Sequence, residues 1–179
     1  GEDYDKLEEF LIKLNGIHYS FSCTLMLAVV YHHRKSYERE LEVLDTISRD
    51  RECIKYCIKY RIKCLEALGK REEAIEYAKE SQILDDDIIE YIVASFTSLD
   101  SLLDYYYNLE YPSFFYGYVE KRVRKSGDPE ILSDFLVSRL KWGVSANDAV
   151  ELYKEIKGLS PEKAKDIFDE IKKNPSGDK

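Results

Sequence analysis

Few residues in this chain could do chemistry, and their spacing limits what that chemistry could be. Lys55, Lys59 and Lys63 recur every fourth residue, so on a helix their ammonium groups form one stripe that could hold a carboxylate. The same spacing also suits a solvated face. Cys53, Cys57 and Cys64 stand at i, i+4 and i+11 and share one helical face, and Cys23 completes the cysteines. Side chains one turn apart point along the axis, so reduced thiols in a core are expected rather than a disulfide. Adjacent His32 and His33 diverge by roughly 100° on a helix and cannot chelate as an i, i+4 pair. No CxxC pair accompanies them, and consecutive Asp85, Asp86 and Asp87 lack the alternation and turn glycine of a calcium loop. GxSxG, GxGxxG and GxxxxGK[ST] segments are absent, and nothing assembles a nucleophile, a base and an oxyanion donor. The expectation is a non-enzymatic protein without metal or cofactor.

Aromatic and basic residues meet once. Phe114, Phe115, Tyr116 and Tyr118 precede Lys121, Arg122, Arg124 and Lys125, a pattern that could stack bases and neutralise phosphates. It equally describes an aromatic inner face followed by cations that complement a helix C-terminus. The formal net charge of −8 makes nucleic acid or an anionic membrane an improbable partner of the whole chain. Tyrosine is abundant, with 15 residues, and Tyr105, Tyr106 and Tyr107 are consecutive, so they cannot all face one core. An exposed tyrosine offers contact area at low entropic cost, which suits an interface.

A chain of 179 residues fits one domain and can bury a core without staples. Eight glycines and four prolines exclude collagen-like and low-complexity character. The longest mostly apolar run, residues 21–31, contains Ser22 and Thr24 and falls short of the roughly 20 residues of a membrane span. The acidic start, Gly1-Glu2-Asp3-Tyr4-Asp5, has no basic or apolar signal region. With reduced cysteines, a cytoplasmic location is expected.

Helical periodicity runs through the chain without a convincing alternating strand. The punctuation predicts about eleven helices. The first spans residues 4–14 and stops at a left-handed Asn15-Gly16 cap. The most apolar helix covers residues 17–33, and the next carries Tyr37, Leu41, Leu44 and Ile47 on one stripe. Asp50 caps a long helix that Gly69 stops, and residues 71–81 form another. Asp85 to Asp87 precede a helix start, Thr97-Ser98-Leu99-Asp100 resembles a capping box, and Pro112 opens an aromatic helix ending at Ser126-Gly127. Asp128-Pro129 and Ser160-Pro161 each pair an N-cap with proline at the first helical position, and Ser145 is a further cap. Gly143 and Gly158 end helices, and the tail from Asn174 is polar.

With Lys35 aligned on Gly69, an offset of 34, Leu27, Ala28 and Tyr31 precede the first turn and Leu65 and Leu68 precede the second. Residues 68–78, with Ala74 and Ala78 after the turn, resemble the turn and second helix of a tetratricopeptide (TPR) repeat. The similarity covers about residues 21–84, and Arg61, Ile62 and Asp86 depart from the family pattern. A weaker similarity to a pentatricopeptide helix covers residues 148–161. The resemblance implies an all-α fold of antiparallel hairpins stacked as a right-handed TPR-like array. It implies one domain over residues 1–179: a TPR-like part at about 17–95, a less regular helical part at about 97–173, and a frayed tail. It also implies a concave surface formed by the first helix of each repeat, with Tyr56, Lys59, Lys63 and Glu66 in the second copy and Ser22, Leu25, Val29 and His32 in the first.

The function expected from the resemblance is a protein–protein interaction scaffold. Its partner is a protein or an acidic peptide segment, held by Tyr56, Lys59, Lys63 and His32. The alternatives are a helical-repeat RNA-binding module and a structural subunit of a larger assembly.

Overall fold

The computed structural model describes residues 2–47 and 54–173. All regular structure among them is helical. The cap expected at Asp50, and Cys53, lie outside the described residues. The chain read above as one domain separates into two compact units, Gly1–Ser95 and Phe96–Lys179.

The first unit holds α1 (Glu2–Ile17), α2 (Phe21–His33), α3 (Tyr37–Ile47), α4 (Ile54–Ala67), α5 (Arg71–Glu80) and α6 (Asp86–Ser95). Each helix packs on the next in the chain, from α1 on α2 to α5 on α6. Leu11, Leu27, Val30 and Tyr31 form one buried cluster; Ala28, Leu44, Ile47 and Cys57 form the next. Between α4 and α5 the small residues Ala74 and Ala78 are fully buried, and Arg61 lies over the Tyr77 ring at 4.9 Å.

Two of the connections are built alike. Lys35 and Gly69 both sit in the left-handed region, with φ of 58° and 74°. In the first turn Lys35 N–H donates to His32 O and Ser36 N–H donates to Tyr31 O. In the second, Gly69 N–H donates to Glu66 O and Lys70 N–H donates to Leu65 O. This is the same paired closure of a helix C-terminus, 34 residues apart. Glycine enters the region freely at position 69, whereas the lysine at 35 bears a Cβ penalty of about 1–2 kcal/mol.

Several expected boundaries move, for local reasons. The helix expected to stop at Asn15-Gly16 continues to Ile17. Asn15 is used differently: its Nδ2 donates to Thr24 Oγ1 (2.7 Å) and its Oδ1 accepts from Ser20 N–H (3.0 Å), which clasps the α1–α2 connection. The apolar helix therefore begins at Phe21 rather than at residue 17.

The second unit holds α7 (Leu99–Tyr107), a 3-10 turn (Pro112–Phe114), α8 (Tyr116–Ser126), α9 (Pro129–Lys141), α10 (Ala146–Leu159) and α11 (Pro161–Lys173). The cap expected in Thr97 to Asp100 is Ser98, whose Oγ accepts from Ser101 N–H at 3.1 Å. Proline at 112 starts the 3-10 turn, and α8 begins separately at Tyr116. Asp128 Oδ1 accepts from Glu130 N–H (2.8 Å) and Ile131 N–H (3.2 Å), and Ser145 Oγ accepts from Asp148 N–H (3.2 Å). Gly158 lies inside α10, which continues to Leu159, so it ends no helix. Tyr106, Phe135, Leu102, Leu136, Val119 and Ile156 are fully buried and form the centre of this unit.

Candidate functional site

Helices α2, α4 and α6 of the first unit, with Tyr37 from α3, surround a groove of about 460 Å³. Its apolar lining comes from Ile62 and Ile88, which fall on the core stripes of α4 and α6, and from the exposed Ala67. Three of the expected site residues, His32, Lys59 and Lys63, line it together. Tyr56 does not line it; it is exposed, with Lys55 Nζ 5.2 Å from its ring centre.

The polar groups around the groove are mostly paired. Lys59 Nζ lies 2.7 Å from carboxylate oxygens of both Asp85 and Asp87. These carboxylates hold the lysine above its ordinary range, and the ammonium holds Asp85 below the usual carboxylate range. Tyr91 O–H donates to Glu66 Oε1 at 2.5 Å, and burial together with this carboxylate pushes the phenol up. Lys63 differs: its Nζ lies 5.7 Å from the Tyr60 ring, and among the described residues it has no carboxylate partner.

At one side of the groove a carboxylate is fully buried. Glu40, in the first turn of α3, has no exposed surface, and His32 Nδ1 lies 2.9 Å from its Oε2. The Tyr37 ring meets the imidazole edge-to-face at 5.7 Å. Cys64 Sγ donates to Tyr37 O at 3.1 Å. Burial, reinforced by Glu40, pushes that thiol up to about 12, so it stays protonated and is no nucleophile. Sequence reasoning missed Glu40. The signal was available: residues 37, 40, 44 and 47 share the stripe that the apolar residues define, which places a carboxylate among core positions.

Burial raises the Glu40 pKa above the ordinary 4.5, outweighing the opposing pull of His32. Between 4.5 and the raised value the folded state holds a proton that the unfolded chain has released. The stabilisation is complete below that window and is lost as pH rises through it. Glu40→Gln removes this contribution, so its urea midpoint should fall less with rising pH above 4.5 than that of the parent protein. Parallel pH profiles for the two proteins would refute the assignment.

In the second unit the aromatic and basic segment is largely occupied. Phe115 is buried and Tyr116 stacks on Phe135 at 5.2 Å. Arg124 reaches both Glu155 oxygens (2.6 and 3.1 Å), and its Nε donates to Glu120 at 2.9 Å. Arg122 donates to Phe96 O at 3.1 Å, and Lys121 lies over the Tyr118 ring. Of the consecutive tyrosines, Tyr106 is buried, Tyr105 half-buried and Tyr107 exposed.

Cys57 and Cys64 are buried free thiols, and Cys23 is a half-buried one. Among the described residues no group of three or more His, Cys, Asp or Glu is placed to hold a metal ion. No helix among them is long and apolar enough to cross a membrane. Comparison with protein-family models, with curated proteins and with solved structures finds no match.

Proposed function

We propose that the first unit is a non-enzymatic binding module whose groove holds a segment of a partner protein. The observation that carries this reading is convergence: side chains from α2, α4 and α6 meet on one apolar-lined groove that leaves a single lysine without a carboxylate. Alternate helices presenting one continuous surface is the arrangement by which helical hairpin arrays bind extended ligands. An apolar side chain of the partner fits against Ile62, Ala67 and Ile88, and an adjacent carboxylate meets Lys63. Lys59 serves as wall rather than as anchor, because Asp85 and Asp87 already neutralise it.

The test is fluorescence anisotropy of labelled peptides that alternate leucine with glutamate, against the same peptides carrying lysine. The acidic series should bind, with a salt-dependent association rate. Lys63→Glu should weaken that binding about tenfold, about 1.4 kcal/mol, and leave the thermal midpoint unchanged because the side chain is exposed. Equal binding of both peptide series, or an affinity indifferent to Lys63→Glu, would sink the proposal.

A further inference from the structure

The second unit carries another groove, of about 440 Å³, walled by rings from separate elements: Tyr107 of α7, Tyr111 of the following loop, and Trp142 after α9. These rings are 44%, 55% and 40% exposed, an unusual outlay of aromatic surface around one concavity. Trp142 is the chain's single tryptophan. It is held from behind. Tyr107 meets it at 6.3 Å with planes inclined by 68°, and buried Tyr106 supports it at 5.1 Å. Tyr106 in turn packs on Phe135, Phe135 stacks on Tyr116, and the Arg139 guanidinium caps Tyr116 at 4.2 Å. Trp142 and Tyr107 are therefore fixed before any ligand arrives, which lowers the ordering cost of binding.

We propose that this groove docks a proline-rich segment in the extended polyproline conformation. The charges of the lining select this occupant. Glu110 and Arg139 both border the groove, one of each sign. A quaternary ammonium would meet the guanidinium, and an oligonucleotide would meet the carboxylate with a single cation to offset it. A proline-rich chain needs neither sign. Its pyrrolidine rings lie flat in slots between inclined aromatic rings, and its carbonyls have no internal donors. The lining supplies such donors: among the described residues neither the Trp142 indole N–H nor the Arg139 guanidinium, which lies over the Tyr116 ring, has a hydrogen-bond partner.

Trp142 reports on its own groove, so the whole chain can be titrated with decaproline while its fluorescence is followed. A saturable change is expected, with no such change from tetramethylammonium chloride or a thymidine oligomer. Tyr111→Ala, in an exposed loop, should weaken decaproline binding about tenfold, and Tyr111→Phe should retain most of it. Lys63→Glu should leave it untouched, which separates this site from the groove of the first unit. The proposal is overturned if decaproline gives no saturable change, if tetramethylammonium or the oligomer gives one in its place, or if Tyr111→Ala binds decaproline as the parent does.

Discussion

Phe135→Ala should cost the second unit about 3–5 kcal/mol, the range for deleting a fully buried aromatic ring. Phe135 has no exposed surface and lies between Tyr106 at 5.5 Å and Tyr116 at 5.2 Å. Its loss opens a cavity and leaves two rings without the neighbour that orients them. The remaining side chains are large and inflexible, so the site collapses poorly and the cost belongs near the top of the range. The measurement is urea unfolding followed by the emission of Trp142, which belongs to this unit. A midpoint within error of the parent protein would show that the ring stack contributes no stability.

Ala74→Leu should cost the first unit about 1–3 kcal/mol through overpacking. Ala74 is fully buried in α5, on the helix that packs against α4, and Ala78 occupies the same face one turn later. Three added carbons at position 74 have no space unless the two helices separate. Separation would also disturb the Arg61–Tyr77 contact. The local readout is the labelling rate of the buried thiols Cys57 and Cys64, which belong to the neighbouring helix. Faster labelling with a lowered thermal midpoint is expected; unchanged rates would place Ala74 outside a close crossing.

What could be read in the sequence was what local chemistry decides. Asp128-Pro129 and Ser145 cap helices because a side-chain oxygen two or three residues before a free N–H captures it whatever the rest of the chain does. Gly69 and Gly127 mark left-handed helix ends for an equally local reason. The equivalent turn at Lys35 carries no glycine, and only the comparison across 34 residues pointed to it. Asn15-Gly16 misled because its polar side chain found partners across the connection, Thr24 and Ser20, instead of ending its own helix. The site followed the same division. The repeat resemblance implied one surface for Tyr56, His32, Lys59 and Lys63, and the groove is lined by the last three. Neither the resemblance nor spacing could show that Asp85 and Asp87 neutralise Lys59, or that His32 is spent on Glu40, because those partners come from other parts of the chain. The ring stack of the second unit was illegible for the same reason: Tyr106, Phe135 and Trp142 are drawn from distant positions, and only their packing makes a wall.

The packing of each helix on its chain neighbour has a kinetic consequence. In the first unit contacts run from α1 to α6 in order, and in the second α7 packs on α8, α8 on α9, α9 on α10 and α10 on α11. Contacts so close in sequence close short loops, and such topologies cross the folding barrier in microseconds to milliseconds. A linear chain of neighbour interfaces also has no single nucleus on which everything waits. Amide protection measured by hydrogen exchange should then fall off gradually from the interior helices α3 and α4 toward α1, rather than vanish across the whole unit at one denaturant concentration.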